Sequence, residues 1–412
     1  MIMNPVPKFF SYLCRDKGIT LAATWSFNQL SYAIIYPFIP IYMCEERGLP
    51  YGLVSIIFPL LGLATILAPI PCGWFTDRFG HSVMMLAGQI LRGAIFFVLA
   101  FMVYVQAPFW TFVIALMFNT AVGVAFQVGS DAYLVSIAAP DERPGYYSKI
   151  RIGYNIGWAL GPMVGAFFAE TPFWVFFIMT GLLCVAGTFH TWFSCCRNIQ
   201  KYAPQTRQKT AAQGNIFIEI IHNRRFLLLM GGTLFLMLLT SQLYSTLSIF
   251  STATVNISKK ALGSVYSLNG TMVLALQIPM AALLKKLKAP IMLQLISGTL
   301  LYAIGYFQLG FAGGVLAIVI AVIVITLGEI IAQPALYTAA SSEADPHNAG
   351  RMMSVSSLMR GIGFSVGPWI GGILYTGASP VVLWSVLSSF ALIAVLFFSC
   401  AELFKRQKNK IL

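Results

Sequence analysis

Residues 157–165 read Gly157-Trp158-Ala159-Leu160-Gly161-Pro162-Met163-Val164-Gly165, and residues 363–372 read Gly363-Phe364-Ser365-Val366-Gly367-Pro368-Trp369-Ile370-Gly371-Gly372. Gly161 and Gly367 are 206 residues apart, half of the 412-residue chain. Pro140 and Pro346 share that offset, as do Ser148 and Ser354. Both copies lie in long apolar stretches, so each reads as a membrane helix with glycines at i, i+4 and i+8. Gly157, Gly161 and Gly165 form one stripe, and Gly363, Gly367 and Gly371 form the other. A stripe of this kind lets a second backbone approach closely within the bilayer. Pro162 and Pro368 each remove one helical hydrogen bond and permit a bend.

Composition places the duplication in a membrane. The chain is 58% hydrophobic and 9% charged, with a mean hydropathy of +0.79, a balance foreign to soluble domains. Twelve apolar stretches lie near 18–43, 51–74, 82–104, 108–138, 146–169, 172–195, 226–250, 261–284, 289–311, 313–340, 350–376 and 379–401. Each meets the need for about 20 residues across a hydrocarbon core of roughly 30 Å. The predicted fold is therefore all-α, with twelve transmembrane helices in two pseudo-symmetric six-helix bundles. The first bundle covers residues 1–196 and the second 226–412, with a basic cytoplasmic linker at 197–225. Ile216, Ile218, Ile220 and Ile221 in the linker suit a short amphipathic helix on the membrane face; a plain tether is the alternative. Two related halves with matching bendable helices point to alternating access.

The charges orient the chain. With both termini placed in the cytoplasm, 21 of the 26 Lys and Arg fall on the inner side, the asymmetry expected of a multi-pass plasma (inner) membrane protein. It accounts for the net charge of +13 without a compact basic patch for nucleic acid. The seven cysteines and four histidines show no metal-ligand spacing. The chain has no Gly-x-x-x-x-Gly-Lys-Ser/Thr loop and no nucleophile elbow. Neither an enzyme, an ATP-driven pump nor a metal site is expected. A non-transporting sensor would carry a large soluble domain, and the loops are too short to hold one.

Together these features resemble the major facilitator superfamily. Gly73-x-x-x-Asp77-Arg78-x-Gly80 is similar to that superfamily's signature loop between spans two and three. The Gly157–Gly165 element resembles the fifth-span motif of its twelve-span drug:proton antiporter branch. Tyr36-Pro37, Leu91-Arg92-Gly93 and Gly328-Glu329 followed by Pro334 are also similar to multidrug exporters of that branch. The sequence departs from the pattern at His81 and Ser82, where basic residues usually follow, and at Ser148, where the extended fifth-span motif has glycine. It departs again in span four, which has no Lys or Arg between Ala115 and Ala138. The resemblance implies a proton-driven secondary transporter without a cofactor, working as a monomer on a small-molecule substrate. It also implies a latch in which Asp77 meets the positive N-terminus of span eleven, with Arg78, Gly73 and Gly80 shaping the loop.

An ionisable side chain inside a span costs about 2.5–3.5 kcal/mol on insertion scales, so each needs a reason. Arg92, Asp131, Glu329 and Arg360 are the four deep ones. Glu329 is the first candidate for proton coupling, because burial and one-sided hydration change a carboxyl group's proton affinity between two states. The alternative is a structural glutamate paired with Arg360. Asp131 is either a substrate or proton site or the neutralising partner of Arg92 on the neighbouring span. For a cavity lining, Trp25, Asn28, Gln29, Tyr32 and Tyr36 share one face of span one. Tyr154, Asn155 and Trp158 in span five, and Gln242 and Tyr244 in span seven, add to it. Such a lining suits lipophilic or aromatic compounds, including cations held by ring faces; as belt residues, the aromatics would face lipid instead. The expected function is proton-coupled export of lipophilic or amphipathic small molecules. Import or export of one specific metabolite on the same fold is the alternative.

Overall fold

The computed structural model describes residues 16–139, 142–168, 171–196, 223–343 and 349–411. Pro140, Pro346 and residues 197–222 of the linker, with its isoleucine cluster, lie outside the described residues. The described chain forms a succession of helical rods. These are α1 (Lys17–Ile35), α2 (Tyr51–Phe79), α3 (His81–Tyr104), α4 (Phe109–Ile137), α5 (Arg143–Phe167) and α6 (Phe173–Cys195). There follow α7 (Arg224–Thr254), α8 (Lys259–Lys286), α9 (Ile291–Leu309), α10 (Val315–Ser341), α11 (Ala349–Gly377) and α12 (Pro380–Ile411). Among the described residues, nine helices are long and apolar enough to cross a membrane. The other three rods, α1, α5 and α11, carry the polar face of span one and the two glycine stripes.

The contacts divide the chain into two units. The first holds Met1–Tyr36 and Leu63–Gln208, and the second holds Pro37–Gly62 and Lys209–Leu412. In the first unit α5 lies against α1 at backbone distance. A Cβ on Gly153 would stand 2.0 Å from the Ala22 carbonyl oxygen, one on Gly157 2.6 Å from Gln29 Cβ, and one on Gly161 2.4 Å from Ala33 Cβ. The same absence of side chains joins α3 to α4, where a Cβ on Gly88 would stand 2.7 Å from the Phe126 backbone nitrogen. Leu21, Met85, Phe126 and Leu134 fill the core between them, none of them exposed.

Asp16 caps α1 and ties it to α5. Its carboxylate accepts hydrogen bonds from the Gly18 and Ile19 backbone N–H groups at 2.7 and 3.2 Å and from Lys149 Nζ at 2.5 Å. The Lys149 hydrogen bond, then the two backbone bonds, hold its carboxyl below the usual carboxylate range against the opposing effect of burial. A carboxyl depressed by folding stabilises the protein above its unfolded pKa, and that contribution is lost as pH falls through the folded value. Both partners are substantially solvated, so the ion pair itself adds little and the cap contributes most of the effect, about 1 kcal/mol. Thermal unfolding of the purified protein should show Asp16→Ala melting about one degree lower at neutral pH, with the difference closing as pH falls into the carboxylate range.

The second unit repeats the arrangement with different contacts. A Cβ on Gly363 would stand 2.6 Å from Met237 Cβ, on Gly367 2.1 Å from Ser241 Oγ, and on Gly371 2.2 Å from Gln242 Oε1. Thus α11 lies on α7 as α5 lies on α1. Helix α7 is interrupted: its α-helical part ends at Thr240, a 3-10 turn covers Ser241–Tyr244, and Ser245 adopts φ −132° and ψ −85°. Helices α9 and α10 also meet at small residues: a Cβ on Gly298 would stand 2.7 Å from the Ala332 nitrogen, and one on Gly305 2.9 Å from the Ala321 carbonyl oxygen. Pro334 has no N–H to give the Ile330 carbonyl four residues earlier. Gln277 of α8 supplies the missing donor from its side-chain amide at 3.2 Å.

Pro37–Gly62, from the sequence's first half, belongs to this second unit. Tyr51 OH lies 3.2 Å from Thr246 Oγ1, and its ring meets Tyr375 edge-on at 5.5 Å. Ser55 occupies the space where a Cβ on Gly372 would stand, 2.4 Å from its own Cβ, and Ser365 does the same at Gly62. Lys259 at the start of α8 lies 3.7 Å from Glu45 and 3.4 Å from Glu46.

Candidate substrate and proton sites

The polar face of α1 divides by depth. Trp25 is 7% exposed and Asn28 6%, so both are committed to the interior. Trp25 Nε1 donates to Ser130 Oγ at 2.8 Å, and its ring meets Phe126 edge-on at 5.4 Å. Asn28 Oδ1 accepts from Arg92. Gln29 and Tyr32 remain partly exposed, as do Asn155 and Trp158 of α5, and Tyr154 is exposed. Tyr32, Tyr36 and Trp158 form one aromatic cluster, with centroids 5.0 Å apart for Tyr32–Tyr36, 6.0 Å for Tyr32–Trp158 and 5.9 Å for Tyr36–Trp158. Tyr36 is its buried base. This cluster is narrower than the face read from helical spacing.

Arg92 does not pair with Asp131. Its guanidinium donates to Asn28 and lies over the Tyr32 ring at 5.3 Å and the Phe96 ring at 5.8 Å. On α4 it faces Gly123, whose Cβ would stand 3.3 Å from it. Asp131 is eight residues further along α4, roughly 12 Å at helical rise. That difference in depth, not resolvable from span limits alone, is why the pairing fails. Asp131 is partly exposed and within electrostatic reach of Tyr147 on α5. Arg360 likewise is not paired with Glu329: its guanidinium lies 4.1 Å above the Tyr337 ring.

Gln242 departs from its expected role as a cavity residue. It has no solvent exposure, and its amide is fully used inside the second unit. Nε2 donates to the Leu238 and Gly367 carbonyls at 2.8 and 2.7 Å, and Oε1 accepts from Thr246 Oγ1 at 2.6 Å. It joins the break in α7 to α11 at Gly367, beside Pro368. Tyr244, two residues on, is the partly exposed member of this segment.

Glu329 stands at the centre of a polar cluster. Asn269 of α8 donates from Nδ2 to Glu329 Oε2 at 3.2 Å and to Thr326 Oγ1 at 2.9 Å. Tyr244 OH donates to Asn269 Oδ1 at 2.9 Å. Tyr302 of α9 is buried, and its hydroxyl has no hydrogen-bond partner within bonding distance; Gln333 and Thr240 are the nearest polar groups. Glu329 itself is partly exposed. The glycine contacts between α9 and α10 set this geometry, since a Cβ on Gly328 would stand 3.1 Å from the Tyr302 nitrogen. Asn269, Gln277 and Tyr302 were not singled out by sequence reasoning. An asparagine within the apolar run of span eight was the available signal for the first.

In the signature loop, Gly80 has φ +89°, a conformation that favours glycine, and it separates α2 from α3. Gly73 has no atom within 4 Å of a would-be Cβ. Asp77 and Arg78 are both exposed, and the Arg78 guanidinium lies over the Trp74 ring at 5.3 Å.

Two helical units with matching proline-containing glycine helices, and a carboxyl group set among amides and hydroxyls within a span, suit a secondary transporter. The chain belongs to the Major Facilitator Superfamily, whose family model matches residues 21–368. It is 24% identical over 389 residues to Multidrug resistance protein MdtH of Proteus mirabilis (strain HI4320), covering 92% of each chain. It is 25% identical over 372 residues to the protein of that name from Yersinia enterocolitica, covering 89% of each. Among solved structures, peptide transporter POT in complex with sulfate matches with a TM-score of 0.72 at 17% identity, over 93% of this chain and 94% of that one. A bacterial homolog to human lysosomal transporter Spinster, inward-facing and occupied, matches with a TM-score of 0.74 at 13% identity, over 97% and 98%. These last two likenesses concern the fold.

Proposed function

We propose that the protein exports lipophilic or amphipathic small molecules across the plasma (inner) membrane in exchange for protons. It does so as a monomer without a cofactor, with both termini in the cytoplasm. The carrying observation is Glu329: a carboxyl group within a membrane span, held by an amide and not by a cation. A carboxyl group so placed gains and loses a proton according to the water and dipoles that each conformation offers it. Asp131 in the first unit is a second site for a proton or a cationic group. Tyr32, Trp158, Gln29 and Asn155 supply aromatic and amide contacts for the solute. The names of the relatives support export of many compounds over carriage of one metabolite. Transport into inside-out vesicles tests the proposal: uptake should follow an imposed pH gradient, acid inside, and stop when a protonophore removes it. Uptake indifferent to the gradient would refute proton coupling.

The signature loop supports a latch, with Asp77 as its charge and Gly80 as its turn. Asp77→Asn should weaken that latch by the contact's differential energy between states, about 0.3–1 kcal/mol for an exposed charge at a helix terminus. Spin-label distances from the loop near Arg78 to that near Asn348 should lengthen on average. Unchanged distances would retire the latch.

A further inference from the structure

We propose that Arg92 selects the solute by charge, favouring amphipathic compounds that carry a carboxylate or another anionic group over organic cations of the same shape. The inference rests on reading Tyr32 as part of the surface that meets the solute.

The first unit holds a buried cation that no acid among the described residues neutralises. Arg92 is 6% exposed, and α1, α3 and α6 contain no Asp or Glu. On α4 the one acid is Asp131, roughly 12 Å along the helix from Gly123, the residue that faces the guanidinium. The groups that act on Arg92 electrostatically are Cys184 and Tyr32, neither of them a carboxylate. Nη1 donates to Asn28 Oδ1, a neutral acceptor, and Nε–H has no acceptor among the described residues. An arginine does not give up its proton in a protein, so the charge persists. Its neighbours hold it in place without cancelling it. Gly123 leaves the room that the guanidinium fills, since a Cβ there would stand 3.3 Å from Nη1. Asn119 Nδ2 donates to the Arg92 carbonyl at 3.3 Å, and the Phe96 ring centroid lies 5.8 Å from the guanidinium carbon.

Tyr32 passes that charge outward. Its ring centroid is 5.3 Å from the guanidinium carbon, and its side chain is partly exposed. Aromatic rings ordinarily attract cations to their faces. This ring is already engaged by Arg92, so a second cation at its exposed side meets a like charge through it. An anion there meets the opposite sign, and the phenol, polarised by the guanidinium, is a hydrogen-bond donor to it. The preference expected from the aromatic residues alone is therefore reversed. A solute charge in contact with the ring stands about 9 Å from the guanidinium, the 5.3 Å to the centroid plus a contact distance of about 3.5 Å. At an effective dielectric of about 20, with salt screening, that is worth about tenfold in affinity, in opposite directions for the two signs.

The test uses the full-length protein in phosphatidylcholine nanodiscs at neutral pH and three probes of similar body: 2-naphthylacetate, 2-naphthylethanol and 2-naphthylmethyl-trimethylammonium. Equilibrium dialysis against empty nanodiscs corrects for partition into lipid. The wild type should bind the carboxylate about tenfold more tightly than the alcohol, and the ammonium about tenfold more weakly. Arg92→Gln should bring the three affinities within about twofold of one another. Arg92→Lys, which keeps the charge, should keep the order. Tyr32→Ala should weaken all three, because the ring is the contact they share. If Tyr32→Ala binds all three as the wild type does, the solute-surface reading fails. If it weakens all three while Arg92→Gln keeps the wild-type order, that reading stands and selection by Arg92 is refuted. A wild type that binds the three probes equally, or prefers the ammonium, overturns the proposal without any variant.

Discussion

Glu329→Gln should reduce gradient-driven accumulation to the level of protein-free membranes while solute exchange down its own gradient persists. Glutamine matches the carboxyl group in size, and its amide oxygen can still accept the Asn269 bond that Glu329 accepts at 3.2 Å. The packing of α10 on α9, set by Gly298, Gly305 and Gly328, is untouched. What disappears is the titration. A carrier that cannot change charge has no term linking the proton gradient to the solute, so the two fluxes separate. Counterflow of labelled solute in proteoliposomes, measured beside pH-jump uptake, distinguishes this from simple loss of fold. Wild-type pH-driven uptake by the variant would transfer the coupling to Asp131 or elsewhere.

The second large effect belongs to the glycine stripes. Gly161→Leu and Gly367→Leu should each lower transport about tenfold or more, whereas Gly361→Leu on α11 should be nearly silent. At Gly161 the first added carbon would already stand 2.4 Å from Ala33 Cβ and 2.8 Å from the Ala33 carbonyl carbon. At Gly367 it would stand 2.1 Å from Ser241 Oγ and 2.5 Å from the Leu238 carbonyl oxygen. Gly361 has no atom within 4 Å of such a carbon. Overpacking of this kind costs about 1–3 kcal/mol before the rest of the leucine is counted, and 1.4 kcal/mol is a factor of ten in an equilibrium. Gly161 should be the more sensitive site, because a methyl group cannot rotate away as a serine hydroxyl can. Spin-label distances should show one access state lost in protein still inserted. Normal transport by both variants would reduce the repeat to a record of ancestry.

The parts legible in the sequence were those set by local chemistry. A glycine stripe declares a close neighbour because nothing else permits one, and Glu329 declares itself by its cost inside an apolar run. Helical spacing correctly put Trp25, Asn28 and Tyr32 on one face of α1. It could not tell that Ser130 and Arg92 would claim the polar groups of the first two and leave Tyr32 partly exposed. For Gln242, a polar residue in a span suggested a cavity, whereas Leu238 of α7 and Gly367 of α11 supply carbonyls that consume its amide. The Asn269–Glu329 contact joins residues 60 positions apart, and one sequence contains no trace of which helix faces which. Arg92 and Asp131 fail as a pair for the same reason, since relative depth depends on tilt and register and not on span limits.

The assignment of Pro37–Gly62 to the second unit bears on how the chain is made. Tyr51 is synthesised 195 residues before Thr246, the partner of its hydroxyl. At about 5–20 residues per second, the ribosome needs roughly 10–40 seconds to supply that partner. Through this interval the Tyr51 segment stands without its final neighbours. The second unit is therefore completed only when an early-made segment meets late-made ones.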